Sequence, residues 1–336
     1  MASAVSASAY DAARRRAAFV DRSERGRIVV SGSDRASYLQ GLLTNDIVAL
    51  KAGHGCYAAY LTAQGRMIAD LHVYELGDVV LLAMPGDVKD TVLAKLDQFI
   101  FTEDVQLGDV TATFAQIAVV GPAAAEGVAR ALGSEGREGG RASDLRALPE
   151  HGNLRAQWSG GAAIVTRITD AGEPGYDVYV ESPHASGLKA ALASADVAEL
   201  DAATAETLRI EAGIPLFHRD MDEETIPLEA GIESRAISFT KGCYVGQEVV
   251  IRVLHRGHGR VARKLVGLAL GGLQAPSAGA PIRGGEREIG QVTSSTMSPA
   301  LEKPIALGYV HRDFVAPGTK VTVGDASAEV VALPFV

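Results

Sequence analysis

The chain has 336 residues, 47% of them hydrophobic and 22% charged, an ordinary globular composition for two or three domains. Its 32 basic residues against 41 acidic ones leave a net charge of -9, a field that repels phosphate backbones and argues against general nucleic-acid binding. The two cysteines, Cys56 and Cys243, make neither a disulfide framework nor a zinc cluster, Met1 to Ala9 lacks the layout of a signal peptide, and no apolar run is long enough to span a bilayer, so a cytoplasmic protein with no metal site and no membrane partner is expected.

Residues 1–25 are rich in Ala and Arg and read as partly helical or loose. Ile28-Val29-Val30 is a short strand, and Ser33-Asp34 offers capping oxygens to a helix carrying Tyr38, Leu39, Leu42 and Leu43 on one face. Strands follow at Tyr57 to Leu61, Met67 to Leu76 and Val79 to Met84, separated by turns at Gln64-Gly65 and Gly77-Asp78. Pro85-Gly86-Asp87 opens a helix through Val88, Val92, Leu93, Leu96 and Phe99. A strand from Phe114 to Val120 ends at Gly121-Pro122, and glycine-rich 133–150 reads as a surface insertion or flexible loop. Strands resume at Ala163 to Ile168 and Tyr176 to Val180, with helices over 184–195 and 202–213. From Val266 onward short strands alternate with Gly/Pro turns, the spacing of a small β-barrel or sandwich.

The chemistry-bearing signals concentrate between Leu208 and Arg252. In Lys241-Gly242-Cys243-Tyr244-Val245-Gly246-Gln247-Glu248 two glycines bracket a tight backbone excursion around Cys243. A lysine nearby and a helix opening at Gln247 would both favour the thiolate. The alternative is a glycine-punctuated turn whose cysteine is a small buried hydrophobe. Arg252, His255, Arg256, His258, Arg260, Arg263 and Lys264 form a basic run suited to anchoring a small polyanion, to docking an acidic partner or to a solvated linker. No phosphate-binding glycine loop and no metal-ligand spacing is present.

The octapeptide resembles the signature of the folate-binding YgfZ branch of the glycine-cleavage T-protein superfamily, whose mitochondrial relatives act in iron–sulfur cluster maturation. Arg209-Ile210-Glu211-Ala212-Gly213-Ile214-Pro215 and Ile226-Pro227-Leu228-Glu229 resemble that branch and the T-protein (aminomethyltransferase) alike. The resemblance implies an α+β, three-domain T-protein-like ring, with two α+β domains and a C-terminal β-barrel. The expected division is 1–48 plus 112–250, an inserted 49–111, and a barrel over 260–336. It also implies tetrahydrofolate, or another folate derivative, in a central channel, with Cys243 supplying a thiol and Asp70, Asp177, Arg209, Glu211, Lys241 and Arg252 at the cofactor.

T-proteins carry a Gly-Gly-x-x-Asp-Asp run, and Gln64-Gly65-Arg66-Met67-Ile68-Ala69-Asp70-Leu71 is similar to it. Ala69 replaces one acid, which counts against aminomethyl transfer and leaves Asp70 to orient a pterin N–H or a folate amine. Gly172-Glu173-Pro174-Gly175-Tyr176-Asp177 resembles the element whose last acid contacts the pterin, where a carboxylate suits a fork of N–H donors. The function expected from this resemblance is a tetrahydrofolate-binding accessory factor. It would serve assembly, maintenance or repair of iron–sulfur enzymes, tRNA-modifying ones included, with those enzymes as partners. The alternative is a folate-dependent aminomethyltransferase or demethylase.

Overall fold

A computed structural model describes residues 5–133, 140–158, 161–255 and 260–336. Two α+β sheets, the first antiparallel and the second antiparallel except for one parallel edge pair, and a closed barrel make up the architecture, as the resemblance implied. The first sheet runs His54–Leu61, Met67–Glu75, Val80–Met84, Gly26–Ser31, Gln106–Asp109. Its order follows from the Gln64-Gly65 and Gly77-Asp78 turns, which fold three consecutive strands into a meander. The second sheet runs Ala198–Glu199, Ala18–Asp21, Phe114–Val120, Gly175–Glu181, Gly161–Ile168, Asn153–Trp158. Six strands between Arg263 and Val331 close into the barrel, whose interior holds Val266, Leu268, Ile282, Val292, Ala306 and Val330 among others.

The expected unit boundary at residue 49 runs through a sheet. Strand Gly26–Ser31 pairs with Val80–Met84 on one side and Gln106–Asp109 on the other. Phe217, Met221, Leu228, Tyr244 and Val250 return late in the chain to cover the same core. Residues 26–109 and 217–261 therefore share one hydrophobic core, and helices Ala124–Ala131 and Ala185–Ser194 cover the second sheet. Apolar burial decides this grouping, and sequence adjacency alone does not reveal it.

Local differences have local causes. Asp34 does not cap its helix: its Oδ2 accepts instead from the Asp104 backbone N–H at 2.9 Å, tying the helix entry to the loop before the last strand of the sheet. Within the expected loop 133–150 a short helix, Ala142–Ala147, forms with Leu145 fully buried; residues 134–139 lie outside the described residues. No helix among the described residues is long and apolar enough to cross a membrane.

Candidate functional site

The site is built by strand alternation. Along Met67–Glu75 the side chains of Met67, Ala69, Leu71 and Val73 enter the apolar core. Period two then sends Asp70 and His72 to the opposite face. In the second sheet Tyr176, Val178 and Val180 pack under the helices, which turns Asp177 and Tyr179 outward. The two outward faces meet, with Tyr74 packed on Tyr179.

Beside that contact lies a cavity of about 460 Å³, with Asp70, His72 and Tyr57 from the first sheet on its wall and Arg22 and Asp170 from the second-sheet unit. The Tyr57 hydroxyl donates to Asp70 Oδ2 at 2.8 Å, while Asp70 Oδ1 is shielded from solvent and has no hydrogen-bond partner among the described residues. Burial raises the Asp70 pKa above the ordinary carboxylate value, against the opposing hydrogen bond from Tyr57. The His72 ring packs among Tyr57, Tyr74 and His151, with centroids 5.3, 6.2 and 5.2 Å away. Burial, then the neighbouring His151, pushes its pKa well below the usual imidazole value, so His72 stays neutral.

Arg22 forks onto Asp170 with contacts of 2.5 and 3.2 Å and stands 3.6 Å from Asp177 Oδ1. Gln116 donates to the other Asp177 oxygen at 2.8 Å, leaving Oδ1 without a hydrogen bond among the described residues. The two acids diverge. Burial pushes Asp170 up, but the Arg22 guanidinium brings it below its ordinary value, whereas burial holds Asp177 above despite Arg22. Arg25 and Arg235 also line the cavity, and neither guanidinium has an ion-pair partner among the described residues; Arg235 lies over the Tyr57 ring at 5.3 Å. The arrangement presents buried acceptors lacking donors beside cations lacking anions, which suits a ligand with N–H groups at one end and carboxylates at the other.

Comparison with known proteins accounts for nearly the whole chain. Residues 2–241 match the GCVT N-terminal domain and residues 263–336 match the glycine cleavage T-protein C-terminal barrel domain. The chain belongs to the glycine cleavage T-protein family. It is 33% identical over 328 residues to the aminomethyltransferase of Rubrobacter xylanophilus, covering 97% of this chain and 85% of that protein. The Streptomyces coelicolor aminomethyltransferase is 32% identical over 335 residues, covering 96% and 87%. The crystal structure of the glycine cleavage system aminomethyltransferase T from Bartonella henselae superposes with a TM-score of 0.86 at 25% identity, covering 98% of this chain and 89% of that one.

These relatives are named for aminomethyl transfer, which overturns the expected role as an accessory factor for iron–sulfur enzymes and favours the transferase alternative. Members of the glycine cleavage T-protein family use tetrahydrofolate as the one-carbon acceptor, in line with the expected folate cofactor.

The sequence-predicted residues do not all gather in this cavity. Asp70 lines it, and Asp177 reaches it only through Arg22. Arg209 lines it too, but its guanidinium is consumed by Glu206, Asp220, Ser294 and the Ile214 carbonyl, which clamp the helix Ala202–Glu211 to the barrel. Glu211 is fully buried elsewhere and accepts from Tyr10, Arg14 and Ser298. Lys241 donates to the carbonyls of Gln40, Leu43 and Asn45 at 2.6, 2.7 and 2.8 Å, and burial lowers its pKa to about 8. It closes the C-terminal end of the helix Arg35–Leu42 and is not available to a ligand.

Cys243 is an exposed free thiol and is not on the cavity wall, nor is Arg252, exposed on the helix Gln247–His255. Of the basic run, residues 256–259 and the His255 side chain lie outside the described residues. Sequence reasoning missed Tyr57, His72, Arg22, Asp170, Arg25 and Arg235. Alternation could have supplied His72, which shares a face with Asp70; the others come from distant segments and carry no local signal.

Proposed function

We propose that this protein is a tetrahydrofolate-dependent transferase of an aminomethyl or closely related one-carbon unit. The observation that carries the proposal is Asp70. It is a buried carboxyl with one oxygen fixed by Tyr57 and the other lacking a donor, in a cavity within the size range of small-molecule sites. A reduced pterin supplies an N–H donor for Asp70 Oδ1, Asp177 acts through Arg22, and the glutamate end of a folate supplies carboxylates for Arg25 and Arg235.

When bound, tetrahydrofolate supplies the nitrogen nucleophiles that take up the one-carbon unit. Asp70 holds the amine end of the reacting pair and stabilises positive charge that develops there, more strongly than in water because its carboxyl is buried. Tyr57 keeps that carboxylate in one orientation. Neutral His72, packed among three rings, excludes water without adding a competing cation. Ala69 does not weaken this reading, because its side chain lies in the core on the far side of the strand. An acid there would face Leu and Val side chains rather than the cavity.

We read the YgfZ-like octapeptide as the mark of a branch within this family, with a packing rather than a chemical role. The reading is tested by anaerobic turnover of an aminomethyl donor with tetrahydrofolate, following ammonia release and methylene-tetrahydrofolate together. Asp70→Asn is expected to bind tetrahydrofolate and to lose roughly 10²–10³ in turnover, the usual cost of removing one preorganised electrostatic group. Wild-type turnover no faster than the enzyme-free reaction, with tetrahydrofolate bound, would overturn it.

A further inference from the structure

One buried cation stands outside the site described above. Arg27 is fully buried and forms no ion pair among the described residues. Its Nη2 donates to the carbonyls of Ser23 and Thr111 at 2.9 and 2.6 Å, and its Nη1 to Gln116 Oε1 at 3.4 Å. A guanidinium out of water needs an anion within reach, and Gln116 leads to one.

Gln116 lies on the strand Phe114–Val120, where Ala115, Ile117 and Val119 enter the core of the second sheet. Alternation turns Gln116 to the opposite face, which also carries Asp177. Its amide can stand only one way round. A guanidinium donates and never accepts, so the carbonyl oxygen faces Arg27 and the NH2 is left for the Asp177 carboxylate. The reversed amide would set donor against donor and acceptor against acceptor. With Oδ2 held by Gln116 at 2.8 Å, Asp177 turns Oδ1 toward Arg22, 3.6 Å away. Gln116 grips Arg22 a second time, since its backbone carbonyl accepts from the Arg22 N–H at 2.8 Å. Arg22 in turn forks onto Asp170, and both line the cavity.

We propose that Gln116 is a positioning residue for the transfer reaction: its amide, aimed by Arg27, points Asp177 at Arg22 and so holds the Arg22–Asp170 pair in the cavity wall. The inference rests on reading that cavity as the transfer site. Gln116 acts without touching the ligand, because Asp177 and Arg22 stand between them.

The test is an exchange of amide and carboxylate. In Asp177→Asn the oxygen of the new amide must accept from Gln116, which points its NH2 at Arg22. In Gln116→Glu two carboxylates face one another. The double variant Gln116→Glu/Asp177→Asn keeps the net charge and restores the order: the carboxylate at 116 accepts from Arg27 and from the amide at 177, whose oxygen returns to Arg22. Each single change is expected to lower kcat/KM by roughly ten- to a hundredfold, the scale of a misplaced wall group. The double variant is expected to recover to within about threefold of wild type, as coupled neighbours do. In the ligand-free protein the Arg22 guanidinium resonances, assigned by their loss in Arg22→Lys, should match between wild type and double variant and differ in both singles.

Recovery of the melting temperature without recovery of kcat/KM overturns the inference and leaves Gln116 a packing residue. If the double variant does not fold, Gln116→Met decides: a drop in kcat/KM of the folded protein supports the inference, and an unchanged value overturns it. A wild type without turnover overturns the transfer reading. The positioning of Arg22 is then judged by the resonances alone, and identical ones in wild type and Asp177→Asn overturn it too.

Discussion

The sulfur-bearing bend at 241–248 packs on the hairpin that carries Asp70, yet the bend and the cavity wall do opposite things. A Cβ on Gly246, where φ is +85°, would stand 2.5 Å from the Thr62 carbonyl oxygen, and one on Gly65 would meet Val249 at 2.8 Å. The bend is thus packed onto the tip of the hairpin whose second strand carries Asp70. Its unusual residues serve that packing: Lys241 satisfies three carbonyls, Tyr244 is buried, and Gly246 allows the close approach. The wall residues are ordinary in type, but their polar atoms are left open. A conspicuous run of sequence therefore marks a tight fit, and unsatisfied buried polar groups mark where a ligand belongs.

The sharpest way to break this contrast is to exchange the expected effects. Asp70→Asn should cost roughly two to three orders of magnitude in turnover while leaving the melting temperature at neutral pH unchanged or raised; a large loss of stability without loss of turnover would invert the comparison.

Its pH dependence follows from the raised Asp70 pKa. Below the ordinary value of 3.8 both folded and unfolded states hold the proton. Between that value and the raised folded one the unfolded chain ionises first, so stability falls as pH rises, and the loss is complete above the folded value. Asp70→Asn lacks this loss. The melting-temperature difference, mutant minus wild type, should therefore grow through this window and then level off, and a difference that stays flat from pH 3 to 7 would show Asp70 to be unperturbed.

The bend should respond in the other sense. Gly246→Ala must hold a Cβ at positive φ against a backbone oxygen, a cost of about 1–3 kcal/mol. Lys241→Met, which leaves three carbonyls without their cation, falls in a similar range of roughly 1–3 kcal/mol. Denaturant melts should show both losses, with kcat little changed in the molecules that remain folded.

The smallest effect is expected at Cys243. Cys243→Ser should alter stability by no more than about 0.5 kcal/mol, as for an ordinary surface change, and should leave turnover intact. Thiol titration of the native wild type should find one fast-reacting group, Cys243, with Cys56 reacting only on unfolding, since burial pushes its pKa to about 12. A Cys243→Ser enzyme without transfer activity would move the chemistry back to the bend.

Much of the architecture was legible in sequence. The apolar run of 57–61, the alternation of 67–76, the turns at Gly65 and Gly77, and the evenly spaced strands after Val266 are each local features of the chain. Asp70 and Asp177 stood out because the stretches that carry them resemble two T-protein motifs. The roles of Lys241, Arg209 and Glu211 were not legible. A charged side chain carries no local sign of whether its partner is a ligand or the carbonyls of a helix about 200 residues away.

By itself the sequence determined the strand and helix segments and the β character of the C-terminal part, because helix and strand periods are properties of short stretches of chain. The two α+β units, the barrel and a folate-using family were what the resemblance of its motifs implied. Only the tertiary structure decided that Arg22, Tyr57, Asp70, Asp170 and Arg235 surround one cavity and that Cys243 does not. The physical reason is that burial and charge pairing depend on which surfaces meet once distant segments pack, and that choice is made by the cores of the two sheets and not by the residues it brings together.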